Sequence, residues 1–107
     1  MEASTRSRIE ELVSSSPIFV FMKGSKLMPQ CGFSHNVVQI LHSLGVAFET
    51  FDVLSDQEIR QGIKDFSSWP TIPQVFLKGE FIGGSDILIE MYNSGELREK
   101  LEIALAS

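Results

Sequence analysis

The feature that most constrains this chain is the block Ile18-Phe19-Val20-Phe21-Met22, apolar at every position and bounded by Pro17 on one side and Lys23-Gly24 on the other. A strand with one wet face alternates apolar and polar residues, whereas a short block apolar throughout is expected of a strand buried on both faces. This strand should be central in its sheet.

The other elements take their order from it. Ile9, Leu12 and Val13 are spaced to one side of a helix from about Thr5 to Val13, which Ser14-Ser15-Ser16-Pro17 ends. After the strand a polar loop runs to Gln30, and Val37, Val38, Ile40, Leu41 and Leu44 mark a helix that stops before Gly45. Val46–Val53 alternates enough to be a second strand, reached through that helix and so parallel to the first. Ser55 and Asp56 are helix-start residues for a helix with Ile59, Ile63 and Phe66 on its apolar side, Arg60 and Lys64 on another face, and an end at Ser67-Ser68. Gln74–Leu77, the turn Lys78-Gly79-Glu80 and Phe81–Gly83 read as an antiparallel hairpin. From Gly84 to Ala106 the pattern is helical, interrupted near Asn93-Ser94-Gly95. The sum is an α/β domain over residues 1–107: a four-stranded mixed β-sheet flanked by about five α-helices, an order that resembles the thioredoxin fold.

Composition narrows the function. A chain of 107 residues can bury a core of its own without staples. No run is long and apolar enough to span a bilayer and no secretion signal opens the chain. The formal charge of -5 argues against nucleic acid or an anionic membrane as the main partner. Against that acidic background Lys23, Lys26, Arg60 and Lys64 fall in or near segments that converge on one place, although solvated surface charge is the other reading for Lys26 and Lys64.

That place is Cys31, the only cysteine, in Pro29-Gln30-Cys31-Gly32-Phe33-Ser34. One cysteine excludes an internal disulfide and fits a reducing compartment. A helix beginning just after Cys31 turns its unpaired N–H groups and positive dipole end toward the sulfur and favours thiolate. In the two-cysteine form of this motif a second thiol three residues on resolves a mixed disulfide; Ser34 stands there, and a hydroxyl does no thiol–disulfide exchange. Whatever Cys31 does needs sulfur from outside the chain.

Two further stretches carry chemistry. In Trp69-Pro70-Thr71-Ile72-Pro73 the prolines restrict the backbone, and a cis Pro73 would leave the Ile72 N–H and C=O free to pair with an extended peptide; a turn that only shapes the chain is the alternative. In Gly83-Gly84-Ser85-Asp86 glycine lets a ligand approach, Ser85 and Asp86 put N–H donors at a helix start, suited to a carboxylate, and Asp86 could meet an ammonium; plain helix capping is the alternative.

Lys23-Gly24, Cys31-Gly32-Phe33-Ser34, Trp69-Pro70-Thr71-Ile72-Pro73-Gln74 and Gly83-Gly84-Ser85-Asp86, in this order, resemble the monothiol glutaredoxins of the Cys-Gly-Phe-Ser class, above all the single-domain members of cyanobacteria and plastids. The resemblance covers nearly the whole chain. It implies glutathione as ligand, a 2Fe-2S cluster bridging a homodimer, and cluster transfer to acceptor apoproteins. It makes Cys31 the cluster ligand, gives Lys23 and Arg60 the glycine carboxylate of glutathione, Ile72 the backbone pairing with Thr71 beside it, and the Ser85 N–H and Asp86 the γ-glutamyl end beside Gly84. Many relatives have cysteine where this chain has Ser85, so that second thiol is absent. BolA-type proteins, which replace one protomer, are implied partners. The implied location is the cytoplasm if the source is bacterial, or the plastid stroma or mitochondrial matrix if it is eukaryotic.

Three other readings compete. Cys31 could act as a glutathione-dependent oxidoreductase on protein–glutathione mixed disulfides. Cys31, His35 and His42 could form a mononuclear metal site, although the ligand set is incomplete. The chain could be a binding module with an incidental thiol. Trp69 reads as packing, and Phe33 as a cover over the thiol.

Overall fold

The structure, a computed structural model, describes residues 1–106. Its elements are α1 (Ala3–Ser14), β1 (Ile18–Met22), α2 (Gly32–Ser43), β2 (Glu49–Asp52), a 3-10 turn (Val53–Ser55), α3 (Gln57–Ser67), β3 (Gln74–Leu77), β4 (Glu80–Gly83), α4 (Ser85–Ser94) and α5 (Glu96–Leu105). The sheet order is β2-β1-β3-β4, with β1 parallel to β2 and antiparallel to β3, and β3 antiparallel to β4. β1 is central, as its unbroken apolarity requires, and every one of its residues is buried.

The two faces of β1 feed two cores. Ile18, Val20 and Met22 pack with Val37, Leu41, Leu88, Leu97 and Leu101 under α2, α4 and α5. Phe19 and Phe21 point the other way, into a core with Ile9, Ile59, Ile63 and Phe76 beneath α1 and α3. Each fully buried side chain of this size contributes about 1.5–3 kcal/mol, so this one strand joins both layers. Phe21 and Phe76 meet edge to face with centroids 5.6 Å apart.

The second strand is shorter than its alternation suggested. Val46-Ala47-Phe48 approaches the sheet as irregular chain, with Phe48 buried in the α2-side core. At the far end the Asp52 carboxylate accepts from the Leu54 N–H at 2.9 Å and turns Val53 into the 3-10 turn instead of the strand. The hairpin turn is also tighter: Lys78 and Gly79 both have positive φ, 52° and 83°, and Glu80 pairs with Leu77 as part of β4. A two-residue loop with both residues left-handed matches the twist of the strands it joins.

Local features bring the ends of β1, β3 and β4 to one edge of the molecule. The same Asp52 oxygen accepts from the Gly24 N–H at 2.9 Å, which ties the loop after β1 to the end of β2. Gly24 has φ 89°, and a Cβ there would collide with the Met28 carbonyl oxygen, so only glycine fits the position. α3 starts where Asp56 accepts from the Glu58 and Ile59 N–H groups, both at 3.1 Å, and pairs with Arg8 at 2.9 Å.

Candidate functional site

Cys31 is the N-cap of α2, with extended backbone (φ -153°, ψ 138°) and a half-buried side chain. Desolvation pushes its thiol up, but the N–H groups of Ser34 and Phe33, the Ser34 hydroxyl and the Lys23 charge together outweigh it and hold the thiol below its ordinary pKa. None of these donors closes a capping hydrogen bond on the sulfur in the structure, so the stabilisation is that of N–H groups and a helix start aimed at a charge.

Ser34 occupies the position of the absent second thiol and has a structural task there. It is fully buried, and its hydroxyl accepts from the Lys23 N–H at 3.1 Å, joining the end of β1 to the first turn of α2. Phe33 on the same turn is 59% exposed. It lines the same cleft as Cys31.

The second wall is the segment between α3 and β3. Ile72–Pro73 is a cis peptide bond, Ile72 is buried, and Thr71 is exposed. No backbone hydrogen bond among the described residues uses the Ile72 N–H or C=O. The segment is fastened from beneath by Gln74, fully buried at the start of β3, whose amide nitrogen donates to the carbonyls of Trp69 at 3.0 Å and Thr71 at 3.2 Å.

The third wall is the start of α4. Gly84 has a φ of -95° that any residue can adopt, but a Cβ there would lie 3.2 Å from the Pro73 carbonyl oxygen and 3.3 Å from the Trp69 indole nitrogen. Ser85 is 7% exposed and its hydroxyl has no partner among the described residues, a state that an incoming polar group would relieve. Asp86 follows in the first turn of α4, on the exposed side.

Between these walls lies a cleft of about 380 Å³. All nine residues singled out from the sequence, Lys23, Cys31, Phe33, Arg60, Thr71, Ile72, Gly84, Ser85 and Asp86, line it. Lys64 joins them, one turn after Arg60 on α3, and makes that end strongly cationic. Lys26 does not: it pairs with Glu49 at 3.4 Å and sits 4.6 Å from the centre of the Phe48 ring, against the start of β2. His42 rests against Phe48 at 5.2 Å between ring centres, His35 is exposed, and neither lines the cleft that holds Cys31. Trp69 does more than pack; it lines the cleft while its ring meets Phe81 at a tilt, with ring centres 5.6 Å apart. Gln74 has no role in a reading of the sequence beyond its place in a motif. A polar residue leading an otherwise apolar strand was the signal that could have found it.

Chemically, the arrangement is a thiolate-favouring cysteine at a helix start, an unpaired stretch of backbone across the cleft, cations at one end, and a helix start with a carboxylate at another. On a sheet of order β2-β1-β3-β4 covered by helices on both faces, this defines a thioredoxin-fold protein built around one accessible thiol. The family model for glutaredoxin matches residues 18–82. A ycf64-like monothiol glutaredoxin of Synechocystis sp. is 66% identical over 107 residues, the whole of both chains. The solution structure of reduced poplar apo GrxS14 superposes with a TM-score of 0.85 at 50% identity, covering 95% of this chain and 94% of that one. The buckwheat glutaredoxin–glutathione complex superposes with a TM-score of 0.83 at 26% identity over 94% of this chain and 90% of that one. The chain belongs to the glutaredoxin family, and within it to the monothiol class.

Proposed function

We propose that the cleft binds glutathione and that two copies of the chain, each with its glutathione, carry a 2Fe-2S cluster as cargo for acceptor apoproteins. The observation that carries this reading is the single thiol lining a cleft whose remaining groups match a peptide. The tripeptide ends in one carboxylate, which Lys23 and Arg60 would hold, with Lys64 adding charge. Its middle is extended backbone, for which the Ile72 N–H and C=O beside Thr71 are unpaired among the described residues. Its γ-glutamyl end has a carboxylate and an ammonium, suited to the Ser85 N–H with the adjoining Gly84 and to Asp86. The Ser85 hydroxyl, buried without a partner among the described residues, fits a polar ligand group lying there.

Counting sulfur supports the cluster. A two-iron cluster takes four thiolate-type ligands. Cys31 from each of two chains supplies half and two glutathione thiolates the rest, so no further cysteine is needed. Two of those ligands are exchangeable, which suits a carrier. Acceptor apoproteins would take the cluster, and a BolA-type protein could stand in for one protomer. The dependence on reduced thiols favours a reducing location: cytoplasm in a bacterium, plastid stroma or mitochondrial matrix in a eukaryote. The test is anaerobic reconstitution with iron, sulfide and glutathione, followed by absorption spectroscopy and sizing. The reading predicts visible cluster bands that travel with a dimer and are lost in Cys31→Ser. A colourless monomer contradicts it.

A second reading is favoured by the lowered thiol pKa. Cys31 thiolate would attack the glutathione sulfur of a protein–glutathione mixed disulfide, expelling the protein thiolate. A second glutathione thiolate would then attack, releasing oxidised glutathione and regenerating Cys31. Turnover of a glutathionylated peptide separates the two, and the cluster reading predicts that it is slow.

A further inference from the structure

We infer that Gln74 is the positioning residue of the glutathione-binding wall: its amide, not the prolines alone, holds the Trp69–Thr71 backbone so that Ile72 is left to pair with the ligand. The inference rests on the proposed glutathione reading and assigns a residue that touches no ligand. Gln74 leads β3, is fully buried, and lies opposite Phe21 of the central strand, so its main chain is fixed by the sheet. From there one side-chain nitrogen reaches two carbonyls three and five residues back, at Thr71 (3.2 Å) and Trp69 (3.0 Å). Trp69 and Thr71 both line the cleft, and Ile72 follows Thr71 in the chain.

Filling space does not account for the amide, whose nitrogen satisfies two carbonyls while its oxygen stays buried and unpaired among the described residues. An unpaired buried acceptor is a net cost. An apolar side chain would avoid burying that oxygen but would leave the Trp69 and Thr71 carbonyls without their donor. What it cannot do is donate to two carbonyls at once. A carboxylate of the same shape is worse, because it sets negative oxygen against both carbonyls until a proton restores one donor.

That difference supplies the test. Glutathione binding is measured by isothermal calorimetry on the full chain, Gln74→Met and Gln74→Glu, at several pH values, with circular dichroism to follow the fold. The expected result is folded variants that bind about tenfold more weakly than the parent near neutral pH, the scale of losing hydrogen-bonded positioning. The Gln74→Glu deficit relative to the parent should then narrow as pH falls, while that of Gln74→Met stays constant. A filler of space would show no such pH-dependent rescue. Folded variants that bind as well as the parent overturn the inference and leave the glutathione reading intact; a parent chain that fails to bind removes both. Should neither variant fold, the parent decides by nuclear magnetic resonance. Slowly exchanging Gln74 side-chain protons that shift with the Ile72 amide on glutathione addition support the assignment, and protons that exchange freely or do not respond reject it.

Discussion

The Ser34 hydroxyl accepts the Lys23 N–H at 3.1 Å while its own proton favours the thiolate of Cys31. One buried side chain therefore fastens the end of β1 to the start of α2 and helps to lower the pKa of the thiol three residues before it. The absence of a second thiol is only half of what this position contributes.

Ser34→Ala should accordingly change two properties together. Loss of the hydroxyl leaves the Lys23 N–H without its partner, at a cost of about 1–2 kcal/mol in urea unfolding. The same substitution should raise the pH at which Cys31 reacts with iodoacetamide. A variant that is destabilised but alkylates at an unchanged pH would separate the two roles.

The thiol itself predicts a pH dependence. Its folded pKa is lowered despite desolvation, because the Ser34 and Phe33 N–H groups, the Ser34 hydroxyl and Lys23 favour the thiolate. The resulting stabilisation is complete above the pKa of an unfolded thiol, about 8.5, and is lost as pH falls through the lower folded value. In that window the unfolding free energy of the parent should climb with pH relative to Cys31→Ser. Parallel curves would mean that the folded thiol is unperturbed.

Most of this was legible in the sequence, for identifiable reasons. The apolar run at 18–22, short and closed by Pro17 and Gly24, pointed to a central strand, and the Pro, Gly and Ser punctuation around the cleft stretches marked chain bends. What local pattern misjudged was decided by tertiary contacts. Phe48 and Val53 obey strand alternation, yet one is drawn into the α2-side core and the other turned by the Asp52 carboxylate. Lys26 sits close in sequence to Cys31 but is drawn off by Phe48 and Glu49, whereas Lys64, more than thirty residues away, is delivered to the cleft by helical spacing from Arg60. Gln74 was hidden because its partners are carbonyls, which no side-chain pattern announces.

Gly84→Ala tests the close approach at the proposed γ-glutamyl end. The backbone tolerates alanine, but the new Cβ would press on the Pro73 carbonyl at 3.2 Å and the Trp69 indole at 3.3 Å. Trp69 is the sole tryptophan, so its fluorescence should shift, and glutathione affinity should fall about tenfold, the scale of about 1.4 kcal/mol. Unchanged fluorescence with unchanged affinity would mean that the wall yields freely.

Arg60→Lys keeps the charge and removes the planar fork. It should still weaken glutathione several-fold at constant salt, because a point charge does not reproduce a two-pronged grip on a carboxylate. Arg60→Gln should cost more and flatten the salt dependence of binding, measured by calorimetry between low and high ionic strength. Equal affinity for both variants and the parent would assign the glycine carboxylate to Lys23 and Lys64 instead.

Native mass spectrometry of the anaerobically reconstituted protein counts every sulfur-bearing component at once. Two chains, two glutathiones, two irons and two sulfides are expected in one particle, as the four-thiolate requirement demands. A single chain holding iron without glutathione, or a dimer holding neither, would contradict the cluster reading.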